Sequence, residues 1–280
     1  MRRWAAVAML LLLPLLVPAM AWAAGIDCAK AKTAVEKSIC ADPQLREADA
    51  AVAEAFAEAL AASPDGAAVR AGQRAWLEIR NACPDAACLG QRLAERRAAL
   101  TAAAAGAAKA LWGERAALQA RLHWPKDCED SFRETFAAAP DGPGLPLRDT
   151  GVERHDLGDG RTLFLVQCDQ AAYQGVYVAM ETSPGDGPAK LLRFPMADAD
   201  GGRIVRREDD SLVGDMQYNE ADKTLTVLSK ARGVGDCGSY AVYGFDAAGK
   251  PTARELRVRE CPKKAGPYLP PERWPLATGR

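Results

Sequence analysis

Eight cysteines limit this chain more than any other feature: Cys28, Cys40, Cys83, Cys88, Cys128, Cys168, Cys237 and Cys261. They fall four and four on either side of an Ala-rich stretch at 98–110. An even count in an exported chain reads as a set of disulfides, here four. Each half can close its own two bridges, which cuts 105 possible pairings to nine and argues for two folding units. Metal binding is the competing reading. No C-x-x-C, H-x-x-x-H or paired Cys/His spacing occurs, so neither zinc nor a thiol–disulfide oxidoreductase is expected, and no cofactor.

The N-terminus agrees with an oxidising destination. Met1-Arg2-Arg3, an apolar run from Trp4 to about Ala19, and Ala21-Trp22-Ala23 together make a secretory signal peptide at 1–23. The run is short and broken by Pro14 and Pro18, which argues against a membrane anchor. Cys28 follows Gly-Ile-Asp and no small-residue lipobox, so a lipid anchor is not expected either. The expected mature chain is therefore periplasmic or secreted. Without Arg2 and Arg3, 34 of the 36 basic side chains remain against 37 acidic ones, a net of −3. That balance offers no basic excess for nucleic acid.

The first half is dense in helix signals. Thr33-Ala34-Val35-Glu36 is a capping box, and Asp42-Pro43 marks a second helix start. The second helix carries Leu45, Ala48, Val52, Phe56 and Leu60 at helical spacing. Ser63-Pro64-Asp65-Gly66 turns the chain. The third helix places Val69, Gly72, Trp76, Ile79 and Cys83 on one face. A fourth, Ala-rich helix starts at Ala86 and reaches at least Leu100, with Gly106 a weak point before Leu122.

Asp49 and Arg80 fall on the apolar faces of the second and third helices. An antiparallel hairpin turning near 64–65 sets them opposite one another, which predicts a partly buried, structural ion pair. Glu47, Glu54 and Glu58 form the outward stripe of the second helix. A solvated face is one reading of that stripe. An acidic surface for a basic partner is the other.

Two motif sets in this half resemble a known family. Asp27-Cys28, Thr33 to Glu36, Ile39-Cys40 and Asp42-Pro43-Gln44-Leu45 look like its opening motif. Gln73 to Cys83, including Trp76 and Arg80, then Cys88 and Arg96, look like its second. The segment 26–100 thus resembles the N-terminal domain of the lysozyme inhibitor LprI family. The resemblance implies binding and inhibition of lysozyme-type muramidases in the cell envelope.

From about residue 124 the pattern changes to short runs with turn residues between them. Strands are expected near 151–157, 161–168, 174–181, 189–195, 212–218, 223–229, 239–245 and 253–260, with a short helix over 129–138 and a loop at Asp141–Pro146. Eight short strands suggest an antiparallel meander folded as a sandwich or open barrel. The expected fold class is therefore a two-domain α + β chain: a small disulfide-bonded helical hairpin or bundle at 24–100, an Ala-rich helical linker at 101–123, and a mainly antiparallel β domain at 124–280.

Arg232-Gly233-Val234-Gly235-Asp236-Cys237-Gly238 is the most distinctive segment. With Asp127-Cys128, Cys168 to Tyr173 and Trp274-Pro275, it resembles the R-G-x-G-D-C-G signature of an uncharacterised exported domain family over about 124–278. That resemblance implies no activity. Three glycines in seven residues permit a loop that holds an anion on backbone N–H groups, helped by Arg232. A tight, disulfide-anchored turn is the alternative. Asp198-Ala199-Asp200-Gly201 hints at a calcium loop, but its first and twelfth positions would be Met196 and Arg207, so it is rejected.

Only two histidines exist, His123 and His155, and neither sits in a catalytic motif. No G-x-S-x-G, S-x-x-K or H-E-x-x-H occurs. The chain is expected not to be an enzyme. The expected function is an exported envelope binding protein. It is either a steric inhibitor of a lysozyme-type muramidase through the helical domain, or a β-domain module for an envelope protein, glycan or anion. A passive structural protein is the third reading. The expected bridges are Cys128–Cys168 and Cys237–Cys261, with nested pairing, Cys28–Cys88 and Cys40–Cys83, in the helical half.

Overall fold

The computed structural model describes residues 25–137, 147–185, 187–262 and 268–277. The signal peptide expected at 1–23 and the loop expected at Asp141–Pro146 lie outside the described residues. The chain divides into two compact units, one built from residues up to 60 and 67–102, the other from 61–66 and 103–280.

In the first unit, α1 (Ala34–Ala41) opens on the capping box: Thr33 Oγ1 accepts from Glu36 N at 3.1 Å, and Glu36 Oε2 accepts from Thr33 N at 2.9 Å. Asp42 ends α1 and caps α2 (Pro43–Ala62), accepting from Gln44 N at 2.8 Å. The next helix, α3 (Gly66–Asn81), leads to α4 (Ala86–Leu122), which runs unbroken through Gly106.

Asp49 and Arg80 are both buried and meet at 3.3 Å. Asp49 also accepts from Ile26 N at 2.7 Å, which ties the incoming chain to the hairpin. The Arg80 guanidinium lies 5.6 Å from the Trp76 ring centre. The inward line of α3 therefore runs through Trp76 and Arg80, not through Gly72 and Ile79. Ile79 is 54% exposed, a correction to its expected place on the apolar face. Arg80 takes the inward position because Asp49 is there to receive it, and Ile79 is turned about 100° away.

The nested pairing is also corrected. The bridges are Cys28–Cys40 and Cys83–Cys88, with Cα–Cα distances of 5.6 and 5.5 Å. Each closes a local loop. A short 3-10 turn at Cys28–Lys30 precedes α1 and sets Cys28 against the end of that helix. The Asp85 cap on Cys88 N at 2.8 Å starts α4 within bonding reach of Cys83.

The second unit begins with the C-terminal part of α4, then α5 (Lys126–Phe136) and ten strands, β1 to β10: Val152–Gly158, Arg161–Gln170, Gly175–Thr182, Lys190–Leu191, Phe194–Asp200, Arg203–Asp209, Ser211–Asn219, Thr224–Lys230, Gly238–Phe245 and Pro251–Arg259. One antiparallel sheet runs β1-β2-β3-β7-β8-β9-β10, with β4 on β3, and β5 and β6 form a separate hairpin. Strand β7 pairs with β3 through residues 211–214 and with β8 through 215–219, so it carries the chain round the fold. The expected strand at 189–195 is in fact the two-residue β4 plus the start of β5. Strand β6 was not expected, because its Arg203, Arg206, Arg207, Glu208 and Asp209 give no alternation to read.

Side chains of β2 and β3 alternate between two cores. Leu163, Leu165 and Ala179 join Leu212, Leu225, Val227 and Tyr243 inside the folded sheet. Phe164, Val166, Val178 and Met180 face the other way, onto Leu122, Trp124 and the Cys128–Cys168 bridge. At the C-terminus, Trp274 is fully buried, and Val258 N donates to Pro275 O at 3.0 Å, so the last described residues line the outer edge of β10.

Arg115 of α4 is fully buried and donates from all three of its side-chain nitrogens. Its Nε donates to Glu129 Oε2 of α5 at 2.8 Å, Nη1 to Thr150 O at 2.7 Å and Nη2 to Gln167 O of β2 at 3.0 Å. The guanidinium stacks on Phe132, 3.4 Å from the ring centre. Gly151 has φ +64°, and a Cβ there would sit 2.6 Å from the Phe132 ring, so the approach to this site requires glycine. Arg115→Met is expected to lower the unfolding free energy by about 3 kcal/mol, because the buried Glu129 loses the enclosed one of its two cations and keeps only the half-exposed Arg133, also 2.8 Å away. The double variant Arg115→Met/Glu129→Leu should recover much of that loss. Urea unfolding followed by circular dichroism measures both, and an unchanged midpoint for Arg115→Met would contradict the account.

Candidate functional site

The signature loop joins β8 to β9. Arg232 Nε donates to Asp236 Oδ1 at 2.7 Å and its Nη2 to Oδ2, a bidentate fork within one turn. Gly235 N donates to Arg232 O at 2.9 Å, and Ala231 N to Cys237 O at 3.0 Å. Gln174 clamps the approach, accepting from Lys230 N at 2.9 Å and donating to Lys230 O at 3.2 Å. Gly238 has φ +138°, and a Cβ there would run into the Ser229 carbonyl. Cys237 is bonded to Cys261 on the far side of β9 and β10. The guanidinium that would help hold an anion is thus committed to Asp236, and the two candidate binding residues serve each other.

In the first unit, Glu47, Glu54 and Glu58 are all exposed on α2. The structure brings none of them to Asp49 or Arg80, which face inward.

A different set of residues forms a cleft of about 620 Å³ in the β unit. Its floor is sheet. Thr162 of β2 and Thr182 of β3 are directly paired across the strands, and Arg154 of β1 is paired with Phe164 of β2. These four share the sheet face that Leu122 and Trp124 cover, and at Thr162 and Thr182 that cover has ended. One wall is the end of α4, with Arg121 and then His123. The other is the segment after β3, with Ser183, Gly185 and Gly187. No carboxylate is found among the described lining residues. Asp186 lies outside the described residues.

The cleft residues are set by identifiable contacts. Arg121 lies over the buried Phe164 ring, 5.5 Å from its centre. His123 terminates α4 with φ +55°, its N–H donating to Gln119 O at 2.8 Å. Helices commonly end on a residue of this conformation, and glycine or asparagine normally takes the position. A histidine there carries about 1–2 kcal/mol of backbone strain. Ser183 donates its hydroxyl to Glu181 Oε1 at 2.8 Å. Glu181 itself is fully buried and faces Lys190 at 3.7 Å.

Sequence reading missed this cleft. It noted only that neither histidine sits in a catalytic motif, and the helix-ending position of His123 was the one available signal. Among the described residues, no group of three or more His, Cys, Asp or Glu is placed to hold a metal ion, and no helix is long and apolar enough to cross a membrane.

Comparison with known families matches residues 65–278 to a protein family of unknown function, DUF1176. The chain belongs to this family. DUF1176 here takes in α3, α4 and the whole β unit, and so the cleft and the signature loop both lie within it. It starts well before the 124 expected for the uncharacterised domain, in keeping with Arg115, Leu118 and Leu122 of α4 packing into the β unit. Residues 26–64, with Glu47, Glu54 and Glu58, lie outside the matched stretch. No curated protein and no solved structure matches the chain.

The Arg232 fork holds the Asp236 carboxyl below its ordinary 3.8. The folded state therefore binds that proton less readily than the unfolded chain. The stability so gained is present above the ordinary value and is lost as pH falls through the lowered one. Asp236→Asn should melt at a lower temperature than the wild type at neutral pH, and the gap should close below about pH 4. Melting curves across pH 2–7 test this, and a constant gap at all pH values would count against it.

Proposed function

We propose that this chain is an exported binding protein of the bacterial envelope, not an enzyme, and that its β unit holds an anionic group in the cleft of Arg121, His123 and Arg154. Export is supported by the N-terminal sequence and by four disulfides. The observation that carries the binding reading is the cleft's lining: two guanidinium groups and an imidazole, supplied by the end of α4 and by β1, above paired threonines. Guanidinium groups suit carboxylate and phosphate because their forked donors match both oxygens. A concave site whose described charged groups are cationic also concentrates its field on an approaching counter-ion.

Titration calorimetry, with amide shifts at Gly185 and Gly187, tests this reading against inorganic phosphate, acetate, citrate, glucose 6-phosphate and digalacturonate. At least one is expected to bind, less tightly as salt rises, and the Arg121→Ala/Arg154→Ala variant should lose at least about tenfold in affinity. No binding by any of them up to about 10 mM, or unchanged binding by the variant, defeats the proposal.

A second reading gives the helical unit the role its sequence resemblance implies, steric inhibition of a lysozyme-type muramidase. The exposed row of Glu47, Glu54 and Glu58 on α2 supports it, since it would face a basic partner. Dose-dependent inhibition of a c-type lysozyme by the oxidised chain is the expected result. It should be lost in the variant with Glu47→Lys, Glu54→Lys and Glu58→Lys. Undiminished lysis at tens of micromolar inhibitor removes the reading for that enzyme class.

A further inference from the structure

His155 of β1 is 17% exposed and stands between two carboxylates. Its Nδ1 lies 3.2 Å from Glu220 Oε1, in the turn between β7 and β8, and its Nε2 lies 3.3 Å from Glu153 Oε2 of β1. The ring stacks on Tyr218 of β7, with 4.5 Å between centres. We infer that His155 is a pH-sensitive latch between the edge strand β1 and the β7–β8 hairpin, firmer when the imidazole is protonated.

The position of the ring matters because side chains alone join the two elements there. Strand β1 ends the sheet and pairs with β2, while residues 215–219 of β7 pair with β8. Among the described residues, no backbone ladder connects β1 to the β7–β8 hairpin. Tyr218 donates its hydroxyl to Asp156 O at 2.8 Å. Lys223 Nζ reaches Asp156 Oδ2 at 2.8 Å and Glu220 Oε2 at 3.5 Å. His155 is the one member of this cluster that touches a carboxylate on each side of the seam.

An ionised carboxylate only accepts hydrogen bonds. A neutral imidazole has one N–H and one bare nitrogen, so it donates to Glu153 or to Glu220 and turns a lone pair on the other. An imidazolium donates to both at once, and the π face of Tyr218 attracts a cation laid over it. Protonation therefore completes the bridge from β1 to the hairpin. The other groups around the ring keep their charge across pH 5–8, the range in which histidine is the side chain that ordinarily titrates. Lys223 holds the Asp156 carboxyl below the usual carboxylate range, and Asp156 in turn holds Lys223 above its ordinary value. Burial pushes the Tyr218 hydroxyl up. Arg154, felt by Asp156, and Arg161, felt by Tyr218, stay cationic. Carboxylates ordinarily keep their charge down to about pH 5.

Hydrogen exchange of the oxidised full chain tests the latch at the amides of Val152–Gly158 and Asn219–Thr224. After correction for the intrinsic effect of pH on exchange, these amides should be about threefold better protected at pH 5.5 than at pH 7.5, the size expected of one half-exposed ion pair. His155→Phe keeps a ring over Tyr218 but carries no nitrogen, and it should show no such difference. Glu153→Gln/Glu220→Gln keeps the histidine and should lose most of the difference. His123→Gln removes the chain's other histidine and should leave the difference intact. Equal protection of the unaltered chain at the two pH values, or a difference that survives undiminished in either latch variant, would overturn the inference. Loss of the difference in His123→Gln would overturn it too.

Discussion

Arg115 is the interaction on which the β unit depends. Its guanidinium is fully enclosed, and burial pushes its pKa down from the ordinary arginine value while Glu129 pushes it back up. A buried charge is tolerable only when it is paired and hydrogen-bonded, and here Glu129, Thr150 and Gln167 each accept from one guanidinium nitrogen, from three parts of the chain. One side chain thereby fixes α4 against α5, against the segment leading into β1 and against β2. The Cys128–Cys168 bridge joins α5 to β2 a second time. Arg121 and His123 follow Arg115 by less than three turns of α4 and the residue ending it, so the position of the cleft's cationic wall is inherited from this buried pair.

The cleft exists because two layers end at different places. The helical cover of the sheet stops at Leu122 and Trp124, whereas β2 and β3 continue to Thr162 and Thr182. Past the edge of the cover the same strand face becomes polar: Phe164 and Met180 lie beneath the helices, and the paired threonines two residues further along are open. A site built this way needs no dedicated domain interface, only a sheet that outruns the helix packed upon it.

Much of this architecture was legible in the sequence, for physical reasons that differ by element. Cysteine arithmetic separated the two halves because each half holds an even number of cysteines and can close its own bridges, as it does. The Thr33–Glu36 box and Asp42-Pro43 were readable because capping is a local interaction between residues three apart. Most β strands declared themselves through alternation and turn residues, and β6 escaped because its charges obey neither. The nested bridges failed because sequence spacing says nothing of how tightly a chain turns at Cys28–Lys30 or at Asp85. The cleft was invisible for a deeper reason. Arg121, Arg154, Thr162 and Thr182 are scattered along the chain, and strand register and the end of one helix bring them together. Arg115 was hidden likewise, an ordinary charged residue in an Ala-rich helix until Glu129 and two carbonyls are placed around it.

The β5–β6 hairpin carries a last consequence. Among the described residues, strand β6 pairs with β5 alone, so its far side is an open strand edge of the kind that recruits strands from other molecules. Ile204 and Val205 sit between Arg203 on one side and Arg206, Arg207, Glu208 and Asp209 on the other, so no apolar run longer than two residues is offered there. The irregular charge pattern that concealed β6 as a strand is also what keeps that open edge from seeding aggregation.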